Sequence, residues 1–212
     1  MTGSDGTVPM TSLKELARAE RSELAAFLAT LTPEQWDSPT LCADWNVRQV
    51  VAHMFSYEDL STAGLVARMF KAGFRNSRSN AISLAEFADK SPEQLLRRVN
   101  DHLEPHGLPA AFGGMIAFLD GLIHHQDIRR GLGAQRDVPA ERLERALPLS
   151  LKAPVLPAKR NARGLRVRAT DVDVAFGDGP VVEGPAEALL MALAGRHGVV
   201  DELSGEGQAV LA

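Results

Sequence analysis

In the stretch DGLIHHQDIRRGLG two consecutive histidines sit between two aspartates, and residue spacing separates their roles. Asp120 and His124 are an i, i+4 pair on one face of a helix, with Asp127 three residues further along it. His125 instead shares its side with Phe118, Gly121 and Leu122, so only His124 has carboxylate neighbours on its own helix. An acid and a histidine four residues apart supply two ligands at once. A histidine from a facing helix would complete three positions of a tetrahedral zinc centre and leave the fourth open, the mark of a catalytic rather than a structural ion. His53, in the stretch PTLCADWNVRQVVAHM, is the natural third ligand, and Asp127 would steady a ligand from behind. The same residues also have plainer uses. An Asp/His pair at this spacing is a common helix-surface ion pair, and a histidine flanking an apolar stripe is commonly a hydrogen-bonded packing residue.

The elements that must position these residues are mostly helical. Leu13, Leu16, Ala17, Leu24, Phe27, Leu28 and Leu31 recur at helical spacing behind Ser12, a capping residue, and predict a first long helix. Thr32 and Pro33 open a short turn of helix before the loop at Pro39. Asn46 and Gln49 form a capping box that starts a second helix near Val47. Along it Val47, Val50, Val51, Met54 and Phe55 make an apolar stripe, and His53 lies about 120° from the stripe's centre. The segment ARMFKAGFRNSRSNAISLAEF, with Lys71, Arg75 and Arg78 among Gly, Asn and Ser, reads as the end of that helix and a solvated connection. Ser91, Pro92 and Gln94 restart the chain as a third helix, and a fourth runs from Pro109 to terminators at Gly131 and Gly133. Four helices in sequence predict an antiparallel bundle.

Beyond Asp137 the pattern changes. VPAERLERAL can form one more helix, and LKAPVLPAKRNARG is a proline-broken basic connection. LRVRATDVDVAF alternates as strands do, GDGP makes a turn, and GPAEALLMALAGR closes as a helix. The expected fold is therefore α+β overall: a flexible leader over 1–10, a helical bundle over 11–150 and a small α+β domain over 151–212.

With 212 residues, 45% of them apolar, the chain can build a real core. Its net charge of -4 and its scattered basic residues create no field that invites nucleic acid or an anionic membrane, which leaves a small molecule as the expected partner. The start lacks a signal-peptide pattern, and no run approaches the roughly 20 apolar residues of a bilayer span. The lone Cys42 cannot form an internal disulfide, so a cytoplasmic, reducing location is the plain reading.

PTLCADWNVRQVVAHM and DGLIHHQDIRRGLG resemble two motifs of the mycothiol-dependent maleylpyruvate isomerase family, and GLRVRATDVDVAFGDGPVVEGPAEALLMALAGR resembles its C-terminal domain. The resemblance implies a DinB-like metal-binding bundle with zinc, or another divalent ion, held by His53, Asp120 and His124. It also implies mycothiol as a thiol cofactor and an electrophilic small-molecule substrate. In the family reaction the thiolate adds to an activated cis double bond, the resulting single bond rotates, and elimination restores the trans alkene. Thiol transfer to an electrophile would use the same site, and a non-catalytic metal-binding or regulatory protein is the alternative. One position departs from the family: Asp120 stands where glutamate is usual. Cys42 and Trp45 read as parts of the fold. Arg129 and Arg130 close a helix, where positive charge is favoured, and are the candidates for holding an anionic group of the cofactor or substrate.

Overall fold

The computed structural model describes residues 11–42 and 44–212, and the leader expected at 1–10 lies outside them. Helices start where their capping signals stand. Ser12 opens α1 (Leu13–Leu28), Thr32 opens α2 (Pro33–Trp36) and Asn46 opens α3 (Val47–Phe55), each in a closed capping box. The segment read as a solvated connection is instead two helices, α4 (Thr62–Lys71) and α5 (Asn76–Glu86), so the second expected helix ends at Phe55. Ser91 and Gln94 then box the start of α6 (Pro92–Asp101). The long α7 (Ala111–Gly131) follows, with α8 (Ala140–Ser150) and the short α9 (Ala158–Asn161) behind it.

Chain direction explains the two extra helices. Arg18 pairs with Glu104, and Arg21 donates to the His102 carbonyl, so α1 and α6 run antiparallel. The Leu41 amide donates to the Asp127 carbonyl while His53 lies beside Asp120, so α3 is antiparallel to α7. Arg48, however, reaches the Lys90 carbonyl and Arg98 reaches the Phe55 carbonyl, which means that α3 and α6 run the same way. The chain leaving α3 must return along the bundle before α6 can begin, and α4 and α5 are that crossover. Their sequence hid them because α4 buries chiefly an arginine: Arg68 is held by the Ser56 carbonyl, Ser83 and Glu86.

The C-terminal alternation is split by a bend into β1 (Arg166–Ala169) and β2 (Ala175–Phe176). A third strand, β3 (Val181–Gly184), was not expected from so short a run after the GDGP turn. β1 is central, antiparallel to β2 and parallel to β3, and α10 (Ala186–Leu193) packs over the sheet. One hydrophobic cluster joins Leu16, Phe118 and Leu122 of α1 and α7 to Leu147, Val167 and Leu189, so the sheet and α10 are built onto the α1/α7 side of the bundle. A second cluster, including Leu24, Val50, Phe55, Leu95 and Ile128, fills the bundle between α1, α3, α6 and α7. Gly131 does more than end a helix. A Cβ there would lie 2.6 Å from the Pro39 carbonyl oxygen and from Thr40 Cα, so its absence lets the 39–42 loop press against α7. No helix among the described residues is long and apolar enough to cross a membrane.

Candidate functional site

α3 and α7 bring the three expected ligands together. His53 Nε2 lies 3.8 Å from Asp120 Oδ1, and His124 Nε2 lies 3.6 Å from the same oxygen. One donor atom from each of the three residues lies within 4.8 Å of the other two. A tetrahedral site with bonds of ~2.0–2.2 Å has ligand atoms about 3.3–3.6 Å apart, so this set of two imidazoles and a carboxylate fits a divalent ion after small side-chain adjustments.

Hydrogen bonding decides which nitrogen of His124 is free. Its Nδ1 donates to Asp127 Oδ2 at 2.8 Å, which places the proton on Nδ1 and leaves the Nε2 lone pair turned toward Asp120. Asp127 is itself buried and also accepts two bonds from Arg196, at 3.0 and 2.7 Å. Burial alone would raise the Asp127 carboxyl, but the hydrogen bonds from His124 and Arg196 outweigh it and hold the pKa below the usual range. Burial likewise works against the Asp120 carboxylate. The adjacent His124 and His53 rings outweigh it and bring the group down to about 2. His53 is oriented by packing: its ring lies against Trp45 at 4.9 Å, tilted by 48°, and stands edge-on to His124 at 5.1 Å, while its buried Nδ1 has no hydrogen-bond partner among the described residues. Trp45, expected as a fold residue, therefore also forms a wall of the site.

Cys42, His124 and Asp127 make a second close donor set. It is the poorer candidate, because Asp127 is already committed to His124 and Arg196. Burial first, then the negative charge of Asp127, pushes the Cys42 thiol up to about 11, so it is protonated at neutral pH.

The donors open onto a cavity of ≈ 560 Å³ whose lining also includes Trp45, Tyr57, Phe74, Phe112 and Arg196. Neither Arg129 nor Arg130 lines it. Arg129 lies over the Phe27 ring at 3.8 Å and donates to His125 Nε2, whereas Arg130 is paired with Glu187 and Glu202. Both guanidiniums are used in holding α7 to its neighbours. Arg196, from the loop after α10, lines the cavity and reaches the donors through Asp127, and Arg75 lines it from the turn after α4; nothing in the sequence surroundings of Arg196 marks it.

His125 also differs from its sequence reading, in having a carboxylate partner from another helix. Its Nδ1 donates to Glu20 Oε1 at 2.7 Å. Glu20 in turn is paired with Arg136 and Arg142. A signal for this cluster was present: Glu20 and Arg21 continue the stripe Leu16, Ala17, Leu24, Leu28, which places two charges on the buried face of α1.

Residues 17–106 match the family profile described as Mycothiol maleylpyruvate isomerase N-terminal domain, a segment that contains His53 but ends before Asp120. Comparison with curated proteins gives no significant match. Two solved structures share the fold. One is a histidine-to-alanine mutant of the mycothiol-dependent maleylpyruvate isomerase, at 16% identity over 97% of this chain and 96% of that one, with a TM-score of 0.62. The other is a second structure of the mycothiol-dependent maleylpyruvate isomerase, at 14% identity over the same shares, with a TM-score of 0.55. Residues 17–106 are thus similar to the N-terminal domain of mycothiol maleylpyruvate isomerases, and the chain shares its overall fold with the two solved structures.

Proposed function

We propose that this chain is a mycothiol-using enzyme, an isomerase of cis alkenes or an S-transferase, with zinc or another divalent ion held by His53, Asp120 and His124. The observation that carries this reading is the convergence of two Nε2 atoms on one carboxylate oxygen at the wall of a cavity. An ion bound there would leave one position for a thiol sulfur and favour its thiolate at neutral pH, the nucleophile that both reactions need.

The protein's own residues do the rest. Asp127 holds the His124 proton on Nδ1, and Arg196 holds Asp127, so the His124 ring keeps its aim without a contribution from solvent. Asp120 supplies the negative charge. Trp45 excludes water from one side of the two imidazoles. The electrophile enters from the cavity, and the reducing cytoplasm expected of a one-cysteine chain suits a thiol-dependent reaction.

A non-catalytic metal-binding role has one observation in its favour, the aspartate in place of the family's usual glutamate. Against it, the shorter side chain still brings Oδ1 to within 3.6 and 3.8 Å of both histidines. Titrating mycothiol into zinc-loaded, tag-free protein separates the two. The enzyme reading expects saturable binding with release of about one proton per site near neutral pH, because coordination deprotonates sulfur. In His53→Ala protein both signals should vanish. Unaltered thiol binding by that variant would remove the reading.

A further inference from the structure

The cavity that holds the three donors carries far more apolar wall than the donors need. Leu65, Met69, Phe74, Phe112 and Val155 all line it. Phe74 and Phe112 are 66% and 71% exposed, Met69 and Val155 are exposed as well, and exposed Phe70 stands against Phe74 with ring centroids 5.3 Å apart. Single apolar side chains in water are ordinary. Here they come from three separate segments, α4 with the turn after it, the start of α7, and the loop before α9, and gather at one mouth.

The backbone makes the arrangement harder to treat as incidental. Phe74 and Phe112 have φ of +57° and +53°, a left-handed conformation that is an outlier for a bulky side chain. Phe112 is followed by Gly113 and Gly114, also left-handed, and this run breaks the first turn of α7 before regular helix begins. Gly114 has a packing reason, since a Cβ there would meet Lys14 at 2.9 Å, but Gly113 has open space around it. The chain thus adopts an unfavourable backbone at two positions and, in return, turns two aromatic rings outward. Neither ring is in the core. Backbone outliers of this kind cluster at active sites and ligand clamps.

We infer that Phe74, Phe112 and the apolar side chains beside them form the subsite for a hydrocarbon portion of the electrophile, an aromatic or branched apolar group attached to the reacting carbon. This rests on the reading of His53, Asp120 and His124 as a thiol-activating centre. A volume of ≈ 560 Å³ falls within the range of pockets for ligands of drug size. A short dicarboxylate would leave the aromatic wall in water. Of the two arginines that line the cavity, Arg196 is paired with Asp127, which leaves Arg75, next to Phe74, to match a single anionic group on such a molecule.

Two thioethers test this without requiring turnover. S-(2,4-dinitrophenyl)-N-acetylcysteine joins a thiol-derived sulfur to an aromatic ring, and S-methyl-N-acetylcysteine lacks the ring. The first is titrated into the protein by quenching of tryptophan fluorescence, Trp45 being on the cavity wall, and the second is added as competitor. The same is done with Phe74→Gly/Phe112→Gly protein, in which glycine suits both left-handed positions and folding is retained or improved. The dinitrophenyl compound should bind the double variant about tenfold more weakly than the parent, and the methyl compound should compete poorly in both. Equal binding of the dinitrophenyl compound to the two proteins, or equally strong competition by the methyl compound, would overturn the subsite. Binding that depends on the two phenylalanines, in a parent protein that releases no proton with mycothiol, would uphold the subsite and overturn the thiol reading instead.

Discussion

The two faces of α7 use adjacent histidines in opposite ways. On one face His125 has both nitrogens occupied, Nδ1 donating to Glu20 and Nε2 accepting from Arg129, within a cluster that ties α1 to α7 and α8. On the other face His124 has only Nδ1 occupied, and its Nε2 turns toward Asp120 and a cavity. The first arrangement is closed: every charge has a partner and no position is left for a ligand. The second is open, and its remaining lone pairs converge. Burial does not distinguish them, because both rings are buried. What distinguishes a structural from a candidate functional histidine here is the donor atom left over once the protein's own hydrogen bonds are counted.

Removing the centre of the closed face should have the largest effect on folding. Glu20→Ala would leave His125, Arg136 and Arg142 without their shared carboxylate, at a cost of about 3–5 kcal/mol read as a lowered urea midpoint. A smaller effect is expected from Asp127→Asn on the open face. It weakens the group that fixes the His124 proton, and should reduce metal affinity by about 10–100-fold in a chelator competition. Should Glu20→Ala prove harmless and Asp127→Asn unfold the protein, the assignment of the two faces is reversed.

Acid should also find the closed face first. Burial holds the His125 pKa below its ordinary value of 6.5, despite the pull of Glu20 toward the charged form. Burial opposes the Glu20 carboxylate, but the His125 hydrogen bond and the charges of Arg136, His125 and Arg142 keep its pKa below 4.5. In both cases the unfolded chain binds the proton more readily, so each group adds stability above its unfolded pKa and loses it as pH falls. The urea midpoint should begin to drop below pH 6.5 through His125, and drop further below pH 4.5 through Glu20. His125→Gln should flatten the first decline. The smallest change in stability is expected from His53→Ala, about 1 kcal/mol or less, since that ring flanks the core rather than filling it.

Much of this was legible in the residues. Ser12, Thr32, Asn46 and Ser91 announced four helix starts because a capping box is a local device, satisfied within one turn. Helical spacing put Asp120 and His124 on one face, whereas the approach of His53 from a facing helix was implied by the family resemblance, because the period of one helix does not report its neighbour. The crossover α4/α5 was hidden because its anchor is Arg68, a polar residue where periodicity searches look for apolar ones. β3 was hidden because four residues carry almost no pattern. Glu20 as the partner of His125, and Arg196 as the partner of Asp127, are 105 and 69 residues distant in sequence, and no local spacing reports such pairs. Arg129 and Arg130 showed the converse error: helix-end arginines were visible, but which neighbour takes each guanidinium depends on the tertiary fold.

Metal content is the most direct test of the open face. Tag-free protein purified without added metal, and the same protein carrying His53→Ala or His125→Gln, would be compared by elemental analysis alongside far-ultraviolet circular dichroism. About one divalent ion per chain is expected in the parent and in His125→Gln, and a marked loss in His53→Ala with the helical signal unchanged. An ion retained equally by His53→Ala, or lost with His125→Gln while the fold is intact, would contradict this expectation.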